Sequence, residues 1–319
     1  MRSRLLVGLL VLIAVCSVAK AQDWPLKQPI KVIVTNTPGS ALDLVSRLVF
    51  EQVGRHVGQT FVIENRPGAA NTIGIATVAK AEPDGYTILA VPSSIAIVPH
   101  THNLSYNTER DLRTVIPLGN LTNVMLTGAG RFKTVKDLVA AAKAKPDAVS
   151  YASIGPGSTG HMSAERLALS AGFKALHVPF KGSPEAVREI ASGRVDFFFT
   201  PVGAALGLIR EGKVDTIAVS SSSRSSLLPD VPTTVQAGYP NSEYDFWIGV
   251  FVPSGVPQPV ITRLHQEIQK VLQTADIKDR LTKLGVEPMP MSSDQFQAYL
   301  GKEIKTNETL VKAAKISAQ

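Results

Sequence analysis

The sequence has a single cysteine, Cys16, which lies in an apolar stretch near the amino terminus. A chain that loses this residue on processing forms no disulfide and performs no thiol chemistry. Charged residues are also few, at 18%, and no basic run of the kind that nucleic-acid-binding proteins carry is present. Apolar residues make up 44%, enough for cores of ordinary size. These features predict a globular protein that is stable through packing alone.

The first 21 residues predict export from the cytoplasm. Arg2 and Arg4 precede a nearly all-apolar run over residues 5–18, and Ala-Lys-Ala at 19–21 matches a signal-peptidase site. The apolar run is too short to span a bilayer. We predict a cleavable signal peptide over residues 1–21 and a periplasmic mature protein. The alternatives are an uncleaved anchor and lipidation at the cysteine.

The mature chain alternates between β-branched runs and segments with helical spacing of apolar residues. This alternation predicts α/β lobes in which a mostly parallel sheet is flanked by helices. A helix-rich end after a late strand indicates that the chain returns to its first sheet. We expect hinge crossings near residues 121–126 and within 220–245. The predicted division is residues 22–124 for the first part of lobe 1, 125–240 for the inserted lobe 2, and 241–319 for the return strand and C-terminal helices.

Residues 155–160 spell G-x-G-x-x-G between a predicted strand and a predicted helix. A dinucleotide site needs an acidic residue about twenty positions further on, but the next strand ends at Lys181 without a carboxylate. A phosphate-binding P-loop needs Lys where this chain has His161. Both nucleotide interpretations are therefore disfavoured. The remaining interpretations are an anion site at a helix N-terminus and an ordinary strand-to-helix turn.

A similar loop in the predicted first lobe favours the anion site. Residues 37–41 (TPGSA) also follow a strand and open a helix, and residues 92–94 (PSS) follow the next core strand. In open α/β sheets, ligands bind beyond the carboxyl ends of the strands. Two such loops, one in each lobe, would hold a small anion in a cleft through amides and hydroxyl groups.

The order and spacing of several motifs resemble one family over the whole mature chain. The motifs are residues 29–34 (PIKVIV), 38–39 (PG) with Asp43, 64–69 (ENRPGA), 79–81 (AKA) with 83–87 (PDGYT), 151–153 (YAS), 157–158 (GS), 177–182 (HVPFKG) and 228–233 (LPDVPT). The chain resembles the extracytoplasmic solute receptors of tripartite tricarboxylate transporters, the Bug family of Gram-negative bacteria. The resemblance implies a type II periplasmic-binding-protein fold with a ligand cleft between two lobes. It also implies capture of a carboxylate, partly through water, without chemistry on the ligand.

The resemblance further implies delivery to a membrane permease with a large and a small subunit. Where the family often has Asp-Asn after a strand of the second lobe, this chain has Thr200 and Pro201. That departure argues against an amino-acid ligand, whose ammonium group would need a carboxylate. Ser40 stands where the family usually has a second glycine. Mono-, di- and aromatic carboxylates remain open as ligands.

The predicted ligand-binding residues come from both loops, from the strand ends and from the late strand. They are Gly39, Ser40, Ala41, Leu42, Asp43, Ser93, Ser94, Ser153, Ser158, Thr159, Gly160, His161, Thr200 and Trp247. Three of these have a second interpretation. Asp43 and His161 either contact the ligand or cap their own loops, and Trp247 either walls the pocket or belongs to the core.

We expect no catalytic residue, no metal and no cofactor. The expected partners are the carboxylate and the permease, with no nucleic acid, and we expect a monomer. Two alternatives of a different class remain. One is an exported α/β hydrolase that uses Ser158 and His161, and the other is a ligand-sensing partner of a membrane histidine kinase.

Overall fold

The computed structural model describes residues 24–145, 148–180 and 182–313. The predicted signal peptide, Cys16 and Lys181 lie outside the described residues. Within these ranges the strands form two separate sheets, and helices flank both of them.

The first sheet contains six strands in the order β11-β4-β10-β3-β1-β2. They are β1 (Ile30–Val34), β2 (Phe61–Asn65), β3 (Thr87–Pro92), β4 (Leu112–Leu121), β10 (Phe246–Pro253) and β11 (Val286–Glu287). The second sheet has five strands in the order β7-β6-β8-β5-β9. They are β5 (Asn123–Gly128), β6 (Ser150–Ser153), β7 (Leu176–Pro179), β8 (Phe197–Pro201) and β9 (Val214–Val219).

Helices connect most of the strands and cover the sheets. They are α1 (Ala41–Val57), α2 (Thr72–Ala79), α3 (Val98–Thr101), α4 (Thr108–Asp111), α5 (Val135–Ala144), α6 (Thr159–Ala171), α7 (Ser183–Ala191), α8 (Val202–Arg210), α9 (Gln258–Gln273), α10 (Ala275–Lys283) and α11 (Ser293–Ala313). Two short 3₁₀ turns, Ala69–Asn71 and Ser93–Ala96, follow β2 and β3.

Local sequence accounts for the ends of the helices that matter for the site. Helix α1 begins after Ser40, whose side chain accepts from the Asp43 amide, and it ends at Gly58 in the left-handed conformation. Helix α6 begins after Ser158, which caps the His161 amide in the same way. Its end at Gly172 is also left-handed. Both helices therefore start from a serine cap immediately after a glycine.

The sheets are more mixed than simple alternation predicts. Strands β1, β2 and β3 are parallel because helices connect them, and so are β6, β7 and β8. Strand β10 enters the first sheet from the other lobe and runs antiparallel to both β3 and β4. Strand β5 likewise runs antiparallel to β8 and β9. The antiparallel strands include those that carry the chain between the lobes, and helical crossovers do not constrain their direction.

The two sheets are joined at two places. Thr122 alone separates β4 from β5, and a longer crossing returns the chain from β9 to β10. In that crossing, the Tyr244 amide donates to the Ser220 carbonyl oxygen, and the Ser220 amide donates to that of Asn123. Both crossings therefore lie side by side. The lobe boundaries at 124 and 240 stay predictions, whereas strand membership changes at Thr122 and between Val219 and Phe246.

Each sheet has apolar clusters on both faces, and one further cluster bridges the lobes. It contains Ile97 after β3, Met162 in α6, Tyr244 in the second crossing, and Leu310 and Val311 in α11. All five side chains are buried. The start of α6 is therefore packed against the first lobe, next to the crossings.

Candidate ligand-binding site

The strand directions place the loop-bearing edges of the two sheets next to each other. Strand β4 runs parallel to β3, because both are antiparallel to β10, so β1, β3 and β4 end at one edge of the first sheet. In the second sheet Asn123, the first residue of β5, lies opposite Pro201, the last residue of β8. Since only Thr122 joins β4 to β5, the carboxyl ends of β1 and β3 and those of β6 and β8 meet across the hinge.

The loop of the first lobe, residues 35–40, leads from β1 into α1. The Gly39 amide donates to Asp43 Oδ2 over 2.9 Å, and the Ser40 amide donates to the Thr37 carbonyl oxygen. Gly39 has φ +79°, a conformation that favours glycine, and the space where a Cβ would lie is open for 4 Å. The loop is thus held by its own side chains while its glycine faces open space.

Asp43 is almost fully buried and is engaged by protein groups. Arg47 Nε lies 3.0 Å from both carboxylate oxygens, and Asn65 Nδ2 donates to Oδ1 over 2.9 Å. Burial opposes ionisation, but the hydrogen bonds from Arg47, the Gly39 amide and Asn65 outweigh it and lower the pKa of Asp43. These bonds favour the loop-bracing role over ligand contact, and the contact itself stays a prediction.

The loop of the second lobe, residues 154–158, leads from β6 into α6 and is held in a similar way. The Gly157 amide donates to His161 Nδ1 over 2.9 Å, and the Gly155 amide donates to Ser153 Oγ over 3.0 Å. Gly157 has φ +75° with open space at its Cβ position. Ser153 Oγ also lies 2.6 Å from His177 Nε2, a contact that the sequence reasoning missed.

Each loop is followed by two amides, at the start of its helix, that no described protein group uses. The amides of Ala41 and Leu42, and those of Thr159 and Gly160, form no hydrogen bond within the part of the chain that the structure describes. They are the first two positions of α1 and α6, where the positive end of each helix dipole lies. Amides at such positions bind anions without any basic side chain.

Gly160 explains how α6 starts so close to the strands. A Cβ at this position would overlap with the carbonyl oxygen of Phe199 in β8 and would lie 3.2 Å from the Phe198 ring. Only glycine allows the first turn of α6 to pack directly on β8. The close approach fixes where the Thr159 and Gly160 amides lie.

The rings of Tyr151, His177 and His161 stack beside the second loop. The rings of His161 and His177 lie 4.2 Å apart at 4°, and Tyr151 stacks on His177 at 4.9 Å. Burial, together with the neighbouring His177, lowers the pKa of His161 to about 4. Burial also lowers the pKa of His177. Both imidazoles are therefore neutral at pH 7.

Buried hydroxyl and amide side chains are concentrated at the same edges. Thr35 follows β1, Thr122 and Asn123 lie at the hinge, and Thr200 lies near the end of β8. All four are at most 1% exposed, and their side-chain polar atoms have no hydrogen-bond partner among the described residues. Since buried polar groups are usually paired, these atoms mark a place for water or ligand. Of the four, sequence reasoning predicted only Thr200.

Two further predicted residues lie after β3. Ser93 is buried, and Ser94 Oγ accepts from Asn71 Nδ2 over 2.8 Å. Asn71 follows β2 and belongs to a run of residues with positive φ that starts at Gly68. Sequence reasoning did not identify Asn71 as part of this edge.

Trp247 lies in the core of the first lobe. Its side chain is fully buried and makes edge-to-face contact with Phe296 and Tyr299 of α11. Its indole Nε1 has no hydrogen-bond partner among the described residues. Trp247 therefore occupies a core position, and its contact with a ligand stays a prediction.

The two residues of the hydrolase alternative, Ser158 and His161, are not hydrogen-bonded to each other through their side chains. Ser158 Oγ accepts from the His161 amide, and His161 Nδ1 is occupied by the Gly157 amide. Glu165 Oε1 lies 3.9 Å from His161 Nε2, beyond hydrogen-bond distance. Within the described residues, no three His, Cys, Asp or Glu side chains group as metal ligands, and no helix has the length and apolarity to cross a membrane.

Comparison with known proteins relates this arrangement to one family. Residues 45–316 match the model of the tripartite tricarboxylate transporter family receptor. A protein of Pseudomonas sp. strain P51, encoded between tcbD and tcbE, is 34% identical over 90% of this chain and 86% of its own length. Protein BugT of Bordetella pertussis is 30% identical over 95% of both chains.

Solved structures show the same two-lobed fold. An R. palustris protein with adipate is 30% identical, with a TM-score of 0.76 over 93% of this chain and 100% of that one. MatC of Rhodopseudomonas palustris with malate is 28% identical, with a TM-score of 0.71 over 90% and 100%. A ligand-free solute-binding protein from Polaromonas, 24% identical, matches the fold with a TM-score of 0.81 over 91% and 99%. The chain belongs to the tripartite tricarboxylate transporter receptor family, whose members are periplasmic solute-binding proteins rather than enzymes.

Proposed function

We propose that this protein captures a small carboxylate between its two lobes and delivers it to a membrane permease of the tripartite type. One observation carries the proposal: four amides, two at the start of α1 and two at the start of α6, form no hydrogen bond among the described residues. The strand directions support their position at adjoining sheet edges. A carboxylate has two oxygens with about four acceptor positions, and it suits such donors at helix N-termini.

Buried hydroxyl and amide side chains also lie at these edges. Thr35, Asn123 and Thr200 offer buried polar atoms that a ligand or bridging water would satisfy. Water-mediated contacts of this kind are nearly as favourable as direct ones. The relatives solved with adipate and malate support a carboxylate ligand in this chain, and they suggest the first compounds to test.

The ligand class is tested by thermal shift on the mature protein, residues 22–319. The panel contains adipate, malate, monocarboxylates and aromatic carboxylates, with adipamide as the neutral, isosteric control. A bound carboxylate at 100 times its dissociation constant should stabilise the protein by about 2.7 kcal/mol. Adipamide should have no effect. Two outcomes contradict the proposal: adipamide stabilises the protein as much as adipate does, or none of the carboxylates stabilises it.

A double variant tests whether the second loop is part of the site. Ser158→Ala with Thr159→Ala removes the helix cap and a nearby hydroxyl, and should weaken binding by roughly 1–3 kcal/mol. Unchanged affinity in isothermal titration would exclude the loop. Recovery of the ligand unaltered after long incubation separates receptor from hydrolase. Loss of uptake on deletion of the permease separates transport from sensing.

A further inference from the structure

The two ligand-binding loops are built on the same hydrogen-bond pattern with different side chains. In each, a serine caps the helix, and the side chain three residues later accepts from the glycine amide just before that serine. In the first lobe this acceptor is Asp43, which holds Gly39. In the second it is His161, which holds Gly157. A carboxylate and an imidazole thus perform the same mechanical task.

The charge around the two acceptors is opposite. Asp43 is followed four residues later by Arg47, which pairs with the carboxylate at 3.0 Å. His161 is followed four residues later by Glu165, whose carboxylate accepts from the Tyr151 hydroxyl. A carboxylate at position 161 would therefore have no cation beside it. It would add unbalanced negative charge one turn from the amides that are left for the ligand.

The structure holds His161 in its neutral form. Nδ1 accepts from an N–H group, so the ring proton is on Nε2. The ring is stacked face to face with His177, at 4.2 Å and 4°. If both rings were protonated, their two positive charges would repel each other across the stack. Neutral imidazole is thus an acceptor that braces the loop without placing a charge beside the ligand.

We propose that His161 is a positioning residue: it fixes the second loop through its neutral Nδ1, and its lack of charge is what lets that loop accept an anion. This inference rests on the proposed function, because it assumes a carboxylate in the cleft. The bracing itself does not depend on any ligand. The two parts are therefore tested separately.

The bracing is tested on ligand-free protein by amide hydrogen exchange at Gly157, resolved by NMR. His161→Ala removes the acceptor, and exchange at Gly157 should become about 2- to 30-fold faster, the range expected for loss of one helix-cap bond. His161→Asn places Oδ1 where Nδ1 was and should restore slow exchange. Equal exchange in wild type and His161→Ala overturns the proposal, whatever the protein binds.

The role of charge is tested by adipate affinity in isothermal titration. His161→Asn should bind within a few-fold of wild type. His161→Asp keeps an acceptor but adds a charge, and should bind about 20- to 100-fold more weakly, the effect of a unit charge several ångströms away at an effective dielectric constant of ~20. Adding Glu165→Arg recreates the Asp43–Arg47 arrangement and should recover most of that loss.

Glu165→Arg alone is the control for the lost Tyr151 hydrogen bond, and circular dichroism with thermal melting confirms that each variant is folded. The role of neutrality is overturned if His161→Asp binds adipate as tightly as wild type does. It is also overturned if His161→Asp with Glu165→Arg binds adipate no more tightly than His161→Asp alone. If wild-type protein binds neither adipate nor any other carboxylate of the panel, the proposed function fails, while hydrogen exchange at Gly157 still decides the bracing.

Discussion

Gly160→Ala tests the claim that α6 starts in direct contact with β8. The added methyl group would overlap with the backbone carbonyl oxygen of Phe199, and a backbone atom cannot rotate away as a side chain does. Overpacking of this kind costs about 1–3 kcal/mol, and the better helix propensity of alanine offsets up to about 1 kcal/mol. We expect a net loss of about 1–2 kcal/mol. The matched control is Gly207→Ala in α8, where the Cβ meets open space, and it should stabilise by about 0.5–1 kcal/mol.

Urea denaturation at constant m-value gives both free energies of unfolding. Relief of the overlap moves the first turn of α6 away from β8 and carries the Thr159 and Gly160 amides with it. Carboxylate affinity should therefore fall in Gly160→Ala and stay unchanged in Gly207→Ala. If Gly160→Ala is as stable as Gly207→Ala and binds normally, the start of α6 does not depend on this contact.

Two further predictions concern pH and a buried ion pair. The folded-state pKa of His161 is about 4, below the ordinary 6.5, so the unfolded chain binds more protons between these two pH values. The free energy of unfolding should therefore be highest above pH 6.5 and fall by about 2–4 kcal/mol as the pH drops to 4. Urea titrations at several pH values measure this fall, which should be smaller in His161→Asn. Arg166 of α6 lies 3.8 Å from Glu303 of α11, and both are buried. Arg166→Ala leaves the carboxylate unpaired and should cost about 2–4 kcal/mol at pH 7, with part of the loss recovered at lower pH, because burial already raises the pKa of Glu303. A loss that does not change with pH would show that Glu303 is not the source.

Much of the secondary structure followed from local sequence. The helices predicted to follow the loops at residues 37–41 and 155–160 are confirmed as α1 and α6. Strand β4 is hard to recognise from the sequence, because Pro117 and Gly119 interrupt its pattern. Both residues lie where the register between β4 and β10 shifts. At such an irregularity a proline is tolerated, because its missing amide hydrogen leaves no ladder hydrogen bond unmade.

For the candidate site, the sequence predicted both loops and the helix that follows each of them. It did not predict Thr35, Thr122 and Asn123, because a polar residue at a strand end looks like any loop residue until the sheets are assembled. Nor did it predict that Ser153 contacts His177, which is 24 residues away and comes from the neighbouring strand.

The sequence by itself determined where the glycines, caps and apolar faces lie, because these features depend on contacts a few residues apart. Only the tertiary structure decided what those features do. The single residue between β4 and β5 joins the sheet edge that carries the first loop to the edge that carries the second. Packing against Phe296 of α11 places Trp247 in a core cluster of the first lobe. The hydrogen bond from Asn65 to Asp43 and the stacking of His161 on His177 decide the surroundings of each acceptor. Charge and burial depend on neighbours from other elements, and those neighbours exist only after the chain has folded.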